Sequence, residues 1–299
     1  MENEKEKFVI ISDSSCDLPP EQAAENRITV VPFYVSFDSA TYQKEGVELS
    51  VRAFYQQMVD APKVYPKSSM PSVQDYRRVF AEYAKQGQPV LCICITTKFS
   101  GSMQSALNAA ELVQDEYPDA EIEVMDATVN TVLQGLFVMQ AVALRDRGDS
   151  LTQAVARLNE IKSTGRIFFT VGDISYLAAG GRIGKVAAMA GGLLGVKPVI
   201  VLKEGEIFLG GMGRARAKNL QKCLDLLQDY AKDEVDLKNC ELVVGYGYDR
   251  AEAEGFRDQL SEVVKPLGYT GEIPLWQIGA AIGVHTGPYP LGLAVVEKG

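Results

Sequence analysis

Short apolar runs alternate with amphipathic helical stretches along the first half of the chain, the rhythm of an α/β fold. Phe8 to Ser12 reads as a strand that ends in Asp13-Ser14-Ser15, and Pro19 opens a helix. Residues 29–37 read as a second strand, with Pro32 implying an edge or a bulge. Ser50 is suited to cap a helix whose Phe54, Tyr55 and Met58 share one stripe. Residues 66–72 (PKSSMPS) form a proline-bracketed hydroxyl loop, and Ser72 with Asp75 makes a capping pair for the next helix. Strand 89–96, helix 101–114 and strand 121–126 compose a βαβ unit. A long helix over about 130–147 stops at Gly148, and Ser150 caps another over 151–162.

After Gly165 the character changes. The strand RIFFTV leads into a stretch rich in Ala and Gly, then a hairpin of strands 197–202 and 206–210 turning at Glu204-Gly205. Arg214 starts a helix to about 232, LVVGYGY is a strand, and 250–264 is helical. The tail holds a last strand and the only histidine, His285, in what reads as a glycine-framed loop. The best division is two α/β domains, 1–164 and 165–299.

The richest segment is 89–106, where an apolar strand runs straight into a hydroxyl-bearing helix start. Open α/β sheets bind ligands at the carboxyl ends of their strands, and helix starts favour anions. Thr96, Thr97, Ser100 and Ser102 add donors there, with Ser102 placed to serve the helix while Ser100 faces a pocket. Ser68 and Ser69 lie in a second loop able to converge on the same strand ends. Gly180, Gly181 and Gly184 surround Arg182, yet no phosphate-loop fingerprint is present. The small residues from Ala187 to Gly195 suit close packing against a helix or a ligand chain. Arg214, Arg216 and Lys218 form a basic cluster, either a solvated helix face or a contact for a phosphate or an acidic partner. Asp13, Ser100 and His285 invite a hydrolase triad, a serine esterase or lipase-like reading, although G-x-S-x-G is missing.

Composition narrows these options. The 299 residues carry a net charge of −9, which argues against nucleic acid and against docking on anionic lipid by charge alone. No apolar run reaches the roughly 20 residues that span a bilayer. Five cysteines show no CxxC pair or metal-ligand spacing. They read as buried free thiols of a cytoplasmic protein.

Taken together, SDSSCDLP (12–19), KSSMPS (67–72), ITTKFSGSMQSA (95–106), VMDA (124–127), GGRIG (180–184), GLLGVKPVI (192–200) and GVHTGP (283–288) resemble the DegV family of fatty-acid-binding proteins. They span nearly the whole chain in the family's order. The resemblance implies a two-domain α/β fold, with a mainly parallel N-terminal sheet flanked by helices and a second domain with a mixed sheet. It implies no catalysis and no cofactor, but one long-chain fatty acid such as palmitate, stearate or oleate in a buried tunnel. It also implies a partner, a separate ATP-binding fatty-acid kinase subunit that makes the acyl phosphate for phospholipid metabolism.

Carried onto this chain, the carboxylate-binding hydroxyls fall on Ser68 and Ser100, with His285 beside them. Arg182 and Thr97 support the head group, and the kinase contact falls on Arg214. Ser68 replaces the family's threonine, Met70 its glutamine, and Thr96-Thr97 its common Ser-Ser, with the Lys98 cation alongside. The hydroxyl pair survives these departures.

Overall fold

The computed structural model describes residues 7–186 and 197–299, so the small-residue stretch from Ala187 to Gly195 lies outside the described residues. The first sheet is wholly parallel, in the order β2 (Ile28–Val31), β1 (Val9–Asp13), β6 (Val90–Cys94), β7 (Ile122–Asp126). Both faces of its central strands are buried, as parallel sheets require. Alternation sends Ile11, Cys92 and Cys94 toward α3 (Val73–Ala84) and α4 (Ser102–Glu116). Ile10, Leu91 and Ile93 point the other way, into the main core with α5 (Thr131–Arg147).

That helix is buried over most of its length, because it is packed from both sides, with Ala143, Asp146 and Arg147 exposed toward its end. Gly148, at φ 95, ends it in the left-handed region that glycine adopts without strain. The far side of α5 meets a six-stranded mixed sheet, ordered β10 (Glu206–Gly213), β9 (Lys197–Lys203), β8 (Arg166–Thr170), β13 (Leu291–Glu297), β11 (Cys240–Tyr246), β12 (Leu275–Gln277). All pairs are antiparallel except β11 with β12. Ile167, Ile200, Leu202 and Ala294 face the main core. Phe168, Val199, Leu242 and Leu293 face α8 (Arg216–Asp233) and α9 (Arg250–Val264). Every strand of this sheet follows residue 165. Among the remaining described helices, α1 (Pro20–Glu25), α2 (Val51–Asp60), α6 (Leu151–Ile161) and α7 (Ser175–Ala179) precede it or connect to it.

Capping falls where hydroxyls permit. Ser50 accepts the Ala53 N–H, and Ser72 and Ser150 form capping boxes with Asp75 and Gln153. All five cysteines are free and buried.

Four local expectations need correction. Residues 29–37 are two strands in different sheets, because Pro32 removes a ladder donor and the chain turns out of the parallel sheet at Phe33. Within 66–72, Lys67–Ser69 is itself a strand, β5, pairing β3 (Tyr34–Ser36), whose other edge pairs β4 (Gln43–Lys44). The helix expected at Arg214 starts at Arg216, since β10 runs on through a bulge to Gly213. His285 lies on a helix, α10 (Ala280–Thr286), which packs on α2, α7, β3 and β5.

Candidate functional site

A cavity of about 1080 Å³, its open mouth included, lies between the carboxyl ends of the parallel strands and the core face of the mixed sheet. Its walls are mostly apolar: Phe33 and Ile95 come from one side, and Ile167, Phe169, Leu202 and Ile207 from the other. The register explains the second group. Ile167 and Phe169 alternate on β8, and Ile167 sits beside Leu202 on β9.

Polar groups gather on this apolar chamber from four separate segments. Ser68 on β5, Ser100 and Gly101 before α4, Arg182 after α7, and His285 on α10 all line it. Ser68 Oγ is 3.4 Å from His285 Nε2. A side chain on Gly101 would meet Met70 Sδ at 2.9 Å, so the β5 segment and the α4 entrance are in direct contact. Arg182 donates from Nε and Nη2 to the Phe99 carbonyl and from Nη1 to the Gly180 carbonyl, tying its loop to the residue before Ser100.

His285 is packed ring-on against Gly180, where a Cβ would overlap Nδ1. Burial first, and the Arg182 charge second, push its pKa down to about 4. The imidazole is therefore neutral at physiological pH, with one ring N–H to give an anion. Its buried Nδ1 has no partner among the described residues.

Ser100 both lines the cavity and accepts the Ser102 N–H at 3.1 Å. Ser102 does not cap the helix with its side chain. Its hydroxyl donates to Asp13 Oδ2 at 2.8 Å and is 2.7 Å from the Tyr76 hydroxyl. Asp13, fully buried, also accepts from Ile95 N–H, Gln134 Nε2 and Ser15 Oγ. Burial raises its pKa and these four bonds oppose the rise.

The structure does not bring every candidate to the cavity. Thr97 is exposed, and its hydroxyl donates to Asp126 at 2.7 Å. Lys98 is exposed as well and packs near Gly205. Arg214 is exposed at the end of the hairpin, outside the lining, while Arg216 makes a two-pronged ion pair with Glu252. Asp13 accepts from Ser15, Ile95, Ser102 and Gln134 and, among the described residues, from no atom of His285, so no Ser-His-Asp relay is assembled. Sequence reasoning missed Ser15, Asn130 and Thr131, which also line the cavity. Their only signal is a position just past the carboxyl ends of β1 and β7.

The model of the uncharacterised DegV family matches residues 7–298. A DegV domain-containing protein of Listeria monocytogenes is 31% identical over 293 residues, covering 96% of this chain and 98% of the relative. A stearic-acid-binding protein from Eubacterium ventriosum superposes with a TM-score of 0.91 at 44% identity, covering 97% of this chain and 98% of that one. A DegV family protein of Thermus thermophilus, described for its fatty acid binding, gives 0.86 at 29% identity, covering 97% and 99%.

Proposed function

This chain belongs to the DegV family, and on that footing we propose that it is a carrier holding one long-chain fatty acid in the central cavity. The observation that carries the reading is the meeting of Ser68, Ser100 and His285 on one otherwise apolar chamber. The two hydroxyls and the neutral imidazole donate to the carboxylate, and Arg182 supplies a positive charge beside them. An acyl chain of about 14 methylenes contributes roughly 11 kcal/mol of transfer free energy at about 0.8 per CH₂. Part of that is lost to immobilisation, which leaves affinities from nanomolar to micromolar within reach. The tail supplies affinity, and the donors fix which end faces the mouth.

The carrier presents this carboxylate to a separate ATP-dependent kinase, which forms the acyl phosphate. The family resemblance supports that partner, and the exposure of Arg214 suits a contact residue. Native mass spectrometry of gently purified protein tests the ligand: a co-purifying long-chain acid is expected, and its absence would count against the carrier. Ser100→Ala together with Ser68→Ala should weaken fatty-acid retention about tenfold or more, two charge-assisted hydrogen bonds being lost. Ser150→Ala is the control, and equal retention places the head group elsewhere. Arg214→Ala should leave lipid binding intact yet slow acyl-phosphate formation by the kinase; unchanged turnover removes Arg214 from the contact.

A further inference from the structure

The cavity wall nearest α10 rests on two carboxyl groups that head-group binding does not use. Asp17 follows the helical turn Ser14–Cys16 after β1, and Glu45 follows β4; both are buried. Glu45 Oε2 accepts the Ser14 hydroxyl at 2.6 Å, and Oε1 accepts the Ala281 N–H at 3.1 Å. Asp17 Oδ2 accepts the Thr131 hydroxyl at 2.6 Å. Asp17 Oδ1 is buried and no full hydrogen bond reaches it among the described residues, although the Gly279 backbone N–H lies close enough to Asp17 to favour its ionised form.

Gly279, the residue that caps α10, explains where that oxygen points. A methyl group there would collide with both Asp17 Oδ1 and Glu45 Oε1. Both oxygens border the space of that one carbon and so lie no more than about 5 Å apart, within the roughly 4–6 Å over which like charges resist joint ionisation. Among the described residues, the titratable groups packed around them supply no cation. Asp13 lies at the end of β1, Tyr55 reaches in from α2 with an unpartnered hydroxyl, and His285 on α10 is neutral above about pH 4. Lys44, next to Glu45 in sequence, turns its amine over the Tyr34 ring. Ser14, Thr131 and Ala281 present hydrogen-bond donors rather than metal ligands. Among the described residues no group of three His, Cys, Asp or Glu is arranged to hold a metal.

We propose that Asp17 and Glu45 hold a single proton between their facing oxygens, a clasp that fastens the His285 helix to the turn carrying Ser15 and makes the cavity wall proton-linked. The clasp stands whether or not the ligand is a fatty acid. It gives the orphaned Oδ1 a partner and removes one of two buried charges. Burial, then the neighbouring carboxylate, raises Asp17 well above its ordinary value, and burial raises Glu45 to about 7. A group whose pKa is raised on folding binds more protons folded than unfolded. Stability from the clasp is therefore greatest near the ordinary carboxylate range and falls as pH rises. His285 has the opposite sign, its contribution being lost as pH falls from about 6.5 toward 4, while the buried thiols of Cys16, Cys223 and Cys240, pushed up to about 12, add a loss of the same sign as pH nears their ordinary range, so the clasp is read between about pH 6.5 and 7.5.

Urea unfolding of lipid-free protein between about pH 6.5 and 7.5 reads the held proton. In the wild type the unfolding constant should rise close to tenfold per pH unit, as one proton requires. Glu45→Gln keeps the shape and lets the amide donate to Asp17, so the rise should shrink below about threefold per unit. Equal slopes in the two proteins would overturn the clasp, because a merely structural Glu45 shifts stability without changing its pH dependence. Asp17→Asn reads the same slope should Glu45→Gln not fold. Carbon-13 NMR of the wild-type carboxyl groups at pH 7 is an independent test: one of the pair protonated supports the clasp, and both ionised rejects it.

Discussion

Gly180→Ala should strip the protein of most of its ligand affinity, the largest loss expected from removing or adding a single methyl group here. Gly180 has φ −79, so alanine is conformationally allowed and the backbone is not the cause. The added carbon would overlap His285 Nδ1 and crowd the neighbouring ring atoms. Relief comes only by rotating the imidazole away from Ser68 or by pushing the Arg182 loop off Phe99. Either movement breaks the head-group arrangement. Overpacking of this kind costs about 1–3 kcal/mol, so ligand retention should fall tenfold or more and the melting temperature by several degrees. Gly181→Ala separates the two effects. That position has open space around it but φ 69, so alanine there costs folding stability and spares binding. If Gly180→Ala retains acyl ligand like the wild type, His285 has no part in holding it.

The contrast between those two glycines shows what one dimension of sequence reveals. Local signals are legible: the βαβ unit, the Ser50, Ser72 and Ser150 caps, the stop at Gly148 and the hairpin at Glu204-Gly205 all arise within a few residues. Ser68, Ser100, Arg182 and His285 are legible as candidates through the family resemblance, and the fold brings all four to one cavity. Thr97 reads as a donor by its closeness to Ser100, but the strand end turns its hydroxyl toward Asp126. His285 reads as a loop residue because α10 is short and framed by glycines, and its helical state depends on packing against α2 and β5. The Asp17–Glu45 pair is invisible. Nothing in the chain says that residues 28 apart converge under a glycine more than two hundred positions further on.

Asp13 offers the largest stability effect, and its consequence reaches the site through Ser102. Four donors converge on this buried carboxylate: the Ile95 N–H, the Gln134 amide and the Ser15 and Ser102 hydroxyls. Asp13→Ala leaves them without their shared acceptor in a site closed to water, and an unsatisfied buried group costs about 1–3 kcal/mol. Relaxation will re-pair some of them, as Ser15 also reaches Gln134 Oε1 at 2.9 Å. A net loss of about 3 kcal/mol or more is expected in urea unfolding, with the m-value retained. Asp13→Asn keeps one acceptor oxygen but turns an NH₂ group toward donors, so it should fall between alanine and wild type. The loss also propagates, because the backbone N–H of Ser102 holds Ser100 Oγ. Once the Ser102 side chain loses its anchor, Ser100 loses its fixed direction, and acyl retention should weaken even below the unfolding transition. A loss under about 1 kcal/mol in Asp13→Ala would mean the four donors find other partners, and that the carboxyl ends of β1 and β6 are not held by this residue.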